Sequence, residues 1–356
     1  IMPILKQLNW RLNISVLFLA IMGLLSLLST KPELFYKQLL WYLIGLALFF
    51  LIIRLDWRPL INYKGAILGI YIFIILLLLA TLVFAPAVRG VRGWLEIGPF
   101  QFQASEFAKI ALIIVLASFF SKKHIGIARI PNLITSFIYF AIPGFLVALQ
   151  PDLGSGLVLF AIWFGFLLVS GIRPRHLIAS LLIFIIITGF MWFSVLKEYQ
   201  KERILGVFLT ERDPLGINYS VIQSKIAIGS ASLFGKGFGQ GTQVQLGFLP
   251  EAQTDFIFSA IIEEFGLIAG FLLMAAFLFL IVEIVKIGLN AENNFNRFVC
   301  LGTAIFFSVQ LILNVGSNLG LTPVIGVTFP FLSYGGSSLL TNLIVVGIIQ
   351  SIVLRK

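Results

Sequence analysis

The chain has 356 residues, of which 59% are hydrophobic and only 11% charged, with a formal net charge of +10 and a mean hydropathy of +1.05. Such a chain has too little polar surface to cover a soluble globule of 39.5 kDa, so it reads as an integral membrane protein forming a single domain, residues 1–356. Its excess of Lys and Arg lies beside the ends of apolar runs, which marks topology and argues against a nucleic-acid partner. The lone Cys300 excludes intrachain disulfides and cysteine-rich metal sites.

Apolar runs of spanning length predict an all-α, polytopic fold of about ten helices. They lie near 13–30, 36–54, 66–85, 104–120, 132–149, 154–171, 176–196, 255–286, 297–318 and 335–354. Lys6 and Arg11 ahead of the first run resemble a signal peptide, but no small-residue cleavage site follows, so the run reads as the first span. An even number of spans puts both termini on one side. A cytoplasmic N-terminus places Lys6, Arg11, Arg54, Arg58, Lys64, Lys122, Lys123, Arg129, Arg173, Arg175, Lys286, Arg297, Arg355 and Lys356 inside. Only Lys31, Lys37, Arg89 and Arg92 fall in the short outer loops, as the positive-inside rule requires. Trp10, Trp41, Trp57, Trp94 and Trp192 sit near span ends, where an interfacial belt accounts for them.

With that orientation the polar material faces away from the cytoplasm: residues 86–103, 320–334 and a large extracytoplasmic loop of about 197–254, between spans 7 and 8. No ATP is expected there, so a reaction must draw its free energy from its substrate or from a gradient. Residues 203–254 are too rich in Gly, Ser and Gln to span and too apolar for a disordered linker, so they are expected to fold back on the membrane surface. Gly235-Lys236-Gly237-Phe238-Gly239-Gln240-Gly241 imitates a nucleotide loop without the strand and helix such a loop needs. A turn whose glycines let the backbone approach a bulky ligand is the better expectation.

The few ionisable residues near or within spans are the candidates for function. Glu106 and Lys109 are three apart and share a helix face, so they either neutralise one another or line a cavity. Asp152, just before a helix, reads first as an N-cap. Glu263 and Glu264 lie two helical turns beyond Asp255 and need partners in neighbouring helices. Asp255 opens the eighth apolar run, where the helix dipole alone favours an acid, but it stands at the water-facing rim behind the long loop.

Three stretches carry a resemblance that covers nearly the whole chain. The first runs from Asn314 to Ser338, including Asn314-Val315-Gly316-Ser317-Asn318 and Pro330-Phe331-Leu332-Ser333-Tyr334-Gly335-Gly336-Ser337-Ser338. The second is Arg89-Gly90-Val91-Arg92-Gly93-Trp94 followed by Ser105-Glu106 and Lys109. The third joins Glu211 to Ser230 and Gly241 to Glu251, with Thr254-Asp255-Phe256 beyond. Together they resemble the SEDS family (shape, elongation, division and sporulation), polytopic enzymes that polymerise peptidoglycan, and its elongation branch more than its division branch. Ala104 stands where members commonly carry proline, and Gln253 where they often carry histidine.

The resemblance implies a peptidoglycan glycosyltransferase of the bacterial cytoplasmic membrane, active on its outer face. Lipid II is the implied substrate and a class B penicillin-binding protein, a transpeptidase, the implied partner. Asp255 is the implied catalytic residue, and Trp94, Glu106 and Lys109 match positions treated as functional; Arg89, Asp152 and Thr254 complete the expected substrate-binding set. No cofactor is required by the sequence and no metal-ligand cluster stands out, though a divalent cation, Mg or Mn, is compatible with a diphosphate leaving group. Two other classes remain open at this point: a lipid II flippase or transporter, which the spans and intramembrane charges would also suit, and a scaffold that only docks a transpeptidase.

Overall fold

The computed structural model describes residues 6–55, 64–86, 91–98, 100–123, 129–172, 174–194, 196–208, 216 and 218–355. Trp57, Arg58, Arg89, Arg173, residues 211–215 and Lys356 lie outside the described residues. The elements run in the order α1 (Trp10–Thr30), α2 (Pro32–Arg54), α3 (Lys64–Phe84), β1 (Trp94–Ile97), β2 (Phe100–Gln103), α4 (Ala104–Lys123), α5 (Ile130–Leu149), α6 (Leu153–Val169) and α7 (Pro174–Ser194). Then follow α8 (Glu198–Phe208), α9 (Tyr219–Gly229), α10 (Thr242–Gln245), α11 (Ile257–Leu289), α12 (Asn294–Leu319) and α13 (Gly336–Leu354). Eight of these helices are long and apolar enough to cross a membrane, and α6 and α7 are shorter apolar helices, so the expected ten apolar runs all appear as helices.

The interior is set by α4 and α13, each of which buries most of its circumference, while α1, α2, α3 and α5 turn much of theirs outward. That division follows composition. Helix α13 carries Gly, Ser, Thr and Asn among its aliphatic residues and lies close against α2. In membranes small residues let backbones approach, and hydrocarbon offers no solvophobic force between helices. Outward residues such as Ile14, Leu43 and Phe73 are exposed, as lipid-facing positions should be.

Three features depart from the expected pattern. The strands Trp94–Ile97 and Phe100–Gln103 pair antiparallel as a hairpin, with Trp94 opposite Gln103 and Ile97 opposite Phe100. Trp94 is therefore held on a strand. The expected outer loop contains α8, α9 and α10, and α9 packs on α11 and α12. Finally, the eighth run begins as a helix at Ile257, two residues after Asp255, and is broken at Gly266, where φ is 89° and ψ 172°.

That break changes the reading of the glycine-rich loop. Gly235, at φ 80°, lies so close to the broken helix that a Cβ would collide with the Glu264 carbonyl, and one on Gly266 would collide with the carbonyl of Leu233. At Gly235 and Gly266 the missing Cβ lets backbone meet backbone, a use the sequence reading did not foresee.

Candidate active site

Asp255 occupies a turn, Glu251–Phe256, that is tied down from several directions. Within it, Thr254 N and Phe256 N donate to the Glu251 carbonyl at 3.0 and 3.2 Å, and Glu251 takes a positive φ of 54°. Thr254 Oγ1 donates to Glu251 Oε2 at 3.0 Å. From α12, Asn314 Nδ2 and Asn318 Nδ2 donate to the Asp255 carbonyl at 3.1 and 2.8 Å. The Asn318 Oδ1 in turn accepts from Ser259 N and Ser259 Oγ at 3.1 and 2.6 Å, which joins the first turn of α11 to the end of α12.

The stretch after α12 closes the same turn from the other side. Ser333 Oγ donates to the Thr254 carbonyl at 2.7 Å, and Tyr334 N to the Gln253 carbonyl at 2.9 Å. This stretch is itself anchored by α2: Gln38 Nε2 donates to the Ser333 carbonyl and Gln38 Oε1 accepts from Gly335 N, both at 3.3 Å. Burial pushes the Tyr334 phenol above its ordinary pKa, so it remains a neutral hydroxyl beside the turn. Because the Asp255 carbonyl is claimed by two asparagines, the helix starts only after it, with Phe256 as the N-cap residue. Asp255 is half-buried.

A second polar group forms around Asp152. Its Oδ1 accepts from Ser155 N at 3.0 Å, so it is the N-cap of α6. Its Oδ2 accepts from Gln103 Nε2 and Ser105 Oγ, both at 3.1 Å, which fixes the end of the hairpin to the start of α4. Gln103 is the cross-strand partner of Trp94, so the strand carrying Trp94 is tied to this group through Gln103.

The stretch from Gly320 to Ser338 joins the two groups. It reaches the Asp255 turn through Ser333 and Tyr334, and the hairpin through Ser337, whose Oγ accepts from Gln103 N at 2.9 Å. Gly154 of α6 lies directly against the Ile325 carbonyl.

Lys109 and Glu106 are paired at 2.7 Å inside α4, with 2% and 6% of their side chains exposed. The two residues neutralise one another. Glu106 Oε2 is buried without a hydrogen-bond partner. Glu263 and Glu264 find most of their partners in the outer segment. Glu263 accepts from Lys236 Nζ at 2.7 Å, Thr242 Oγ1 at 3.2 Å, Gln243 N at 2.9 Å and Val244 N at 3.2 Å. Glu264 Oε1 accepts from Gln245 Nε2 at 2.9 Å and from Ser29 Oγ, at the end of α1.

Thus Asp255 and Thr254 share one turn, Asp152 is networked with Gln103, the strand partner of Trp94, and Glu106–Lys109 lies within the helix that this network starts. Arg89 lies outside the described residues. Among the described residues no three His, Cys, Asp or Glu side chains come together as a metal cluster. A cavity between the outer segment and the post-α12 stretch is lined by Arg203, Asn218, Val221, Thr322 and Val324, and by none of the expected site residues. It shares Val221 and Val324 with the small apolar cluster under Phe256. Asn314, Asn318, Ser333 and Gln38 are the positioning residues that sequence reasoning missed. Asn314 and Asn318 recur four apart on one helical face, a signal that was readable.

A family model described as cell cycle protein, covering FtsW, RodA and SpoVE, matches residues 7–356. The chain is 37% identical to peptidoglycan glycosyltransferase MrdB of Escherichia coli (strain K12) over 290 residues, 82% of this chain and 78% of that protein. It is 35% identical to stage V sporulation protein E of Bacillus subtilis (strain 168) over 321 residues, 89% of this chain and 86% of that one. Its fold is similar to a chain of a peptidoglycan synthase complex that coordinates polymerization and crosslinking, with TM-score 0.81, 31% identity and 98% of both chains covered. It is also similar to the rod shape determining protein RodA of Thermus thermophilus, with TM-score 0.73, 29% identity and 98% of this chain and 97% of that one covered.

Proposed function

This chain belongs to the FtsW, RodA and SpoVE family of cell cycle proteins, and from that premise we propose that it is a peptidoglycan glycosyltransferase that builds glycan strands from lipid II, with Asp255 as general base. It is a multi-pass membrane protein. In our reading it lies in the bacterial cytoplasmic membrane with both termini inside and the Asp255 end outside, and serves cell elongation with a class B penicillin-binding protein as its transpeptidase partner.

The chemistry suits a single carboxylate. Lipid II carries its sugar on a diphosphate, a good leaving group that needs charge stabilisation more than a proton. A glycosidase that must expel an alkoxide uses two carboxylates. Asp255 removes the proton from the 4-hydroxyl of the acceptor N-acetylglucosamine while that oxygen attacks the anomeric carbon of the donor N-acetylmuramic acid. The new C–O bond forms opposite the breaking bond to diphosphate, so the α-linked donor becomes a β-1,4 linkage and polyprenyl diphosphate departs.

The observation that carries this reading is the double clamp of Asn314 and Asn318 on the Asp255 main chain. It fixes the residue through its main chain at the start of α11 and so sets where the side chain begins. Trp94, Asp152 and Thr254 would border the sugars. Arg89 and Lys109 are the cations proposed to offset charge on the diphosphate, and for that Lys109 must exchange Glu106 for the phosphate. A divalent cation would take its ligands mainly from the diphosphate and one carboxylate, since no protein cage is present among the described residues.

The test is polymerisation by the purified chain with its transpeptidase partner, lipid II and divalent ion, in the absence of ATP or a gradient. Polymeric glycan is expected from the wild type and none from Asp255→Ala, which should keep its fold and its partner. Substantial polymer from that variant would remove the assignment. Lipid II translocation by the wild type without polymer would favour a flippase instead.

A further inference from the structure

We propose that residues 231–248 form a wedge seated in the membrane interface at the Asp255 end of the bundle, with Leu233 and Phe234 in contact with lipid acyl chains and Glu263 as the clamp that holds it there. This inference rests on the chain spanning a membrane, and not on the catalytic reading of Asp255.

The depth of the wedge follows from α11. Between Glu264 and Glu283 the helix carries no charge for 18 residues, about 27 Å at the rise of an α-helix, close to the thickness of a hydrocarbon core. The two glutamates therefore mark its two interfaces. Leu267 N and Ile268 N, already inside that charge-free run, donate to the carbonyls of Ser232 and Leu233 at 3.2 and 3.3 Å. Lys236 N and Gly237 N donate to the carbonyls of Glu263 and Glu264, both at 2.9 Å, just above. The wedge thus sutures the break at Gly266 by pairing backbone groups that the interrupted helix cannot pair for itself. Non-helical backbone is tolerated at that depth only when its polar groups are satisfied in this way.

What the wedge presents outward is apolar. Leu233 is 60% and Phe234 78% exposed, with Phe238, Leu246 and Phe248 exposed beside them. Leu267, Ile268 and Phe271 of α11, exposed directly below, extend the surface downward. A patch of this kind would be unfavourable in water, and its continuity with the lipid-facing side of α11 identifies its occupant as the acyl chains of that leaflet. The polar side of the same segment turns inward: Lys236, Thr242 and the Gln243 and Val244 amides all converge on fully buried Glu263. Gln245 joins Glu264 and Ser29, which fastens the wedge to α1.

The test uses a nitroxide on Phe234→Cys in the full chain reconstituted into phosphatidylcholine–phosphatidylglycerol vesicles. Cys300 is fully buried and does not compete for label. Labels on Phe271→Cys, in the hydrocarbon, and on Glu198→Cys, exposed in the outer segment, serve as references. Collision with oxygen is expected to exceed collision with a water-soluble nickel chelate at 234, as at 271, with nickel access several-fold below that at 198. Adding Glu263→Ala should raise nickel access at 234 toward the value at 198. Nickel access at 234 equal to that at 198 in the otherwise native chain would overturn the proposal. Shielding from both reagents would overturn it as well, because a protein surface would then cover the patch. Glycan synthesis by Asp255→Ala is a separate measurement, so the two readings fail independently.

Discussion

Asp255 and Glu263 stand two helical turns apart at the same end of α11; α12 reaches the first through its main-chain carbonyl, and the outer segment reaches the second through its carboxylate. Glu263 is fully buried and its carboxylate accepts four hydrogen bonds, two from side chains and two from main-chain amides of the outer segment. Asp255 is half-buried, and what α12 grips is its main-chain carbonyl. Glu106, paired with Lys109 inside α4, belongs with Glu263. A sealed carboxylate organises the structure around it, whereas the role proposed for Asp255 asks a clamped backbone to hold a base for chemistry. Breaking each kind should therefore produce a different failure.

The largest effect is expected at Asp255. Asp255→Asn keeps the size of the side chain and the clamp on the carbonyl but cannot take a proton, so glycan polymerisation should fall by about 10²- to 10⁴-fold, the usual contribution of a positioned base. Thermal stability should barely change. A large loss of stability with modest loss of rate would put Asp255 among the sealed carboxylates and erase the contrast.

Lys109→Ala should fail the other way. It leaves Glu106 buried without its cation, which costs about 3–5 kcal/mol, and thermal unfolding in detergent should show it. The double variant Glu106→Gln with Lys109→Met removes both charges and should recover most of that stability. If it also recovers polymerisation, the pair is structural alone; if rate stays low in a stable protein, the Lys109 cation is needed for the reaction, as a contact with the diphosphate requires.

Asn318→Ala sharpens the comparison from the backbone side. It removes one of two donors to the Asp255 carbonyl and the acceptor used by Ser259, so kcat should drop by about tenfold, the equivalent of roughly 1.4 kcal/mol. KM should hold, since no substrate contact is removed. A change confined to KM would mean that Asn318 touches substrate directly.

The features that were legible in the sequence are those that composition alone dictates. The ten apolar runs became helices because hydrocarbon admits little else, and Asp152 became an N-cap because Leu153 and the residues after it had orphan amides to satisfy. The strand pair was missed although Leu95-Glu96-Ile97 and Phe100-Gln101-Phe102 each alternate apolar and polar, because strands are not expected beside spans. The break at Gly266 left no such trace: a glycine within a membrane helix is ordinary, and only the arrival of Leu233 and Gly235 from a distant stretch reveals its use. For the candidate site, the string around Asp255 singled it out as an expectation, but the asparagines that hold its turn act through its carbonyl, a group every residue has.

The smallest effect, at Asp152, tests whether a cap can also be a site residue. Asp152→Ala removes the acceptor for Ser155 N and for Gln103 and Ser105 together; loss of the cap alone should cost about 1 kcal/mol. Asp152→Asn keeps an oxygen for Ser155 N, and asparagine caps nearly as well as aspartate, but its amide faces Gln103 and Ser105 with a donor where they had an acceptor. Stability of the Asn variant should therefore lie between wild type and Ala. If Asp152 serves only to tie the hairpin to α4 and α6, polymerisation should rank the three proteins in that same order and by no more than the stability difference. Polymerisation lost equally in Asn and Ala would show instead that the charge itself is used, and Asp152 would then stand beside Asp255, the proposed base, as a carboxylate the reaction needs.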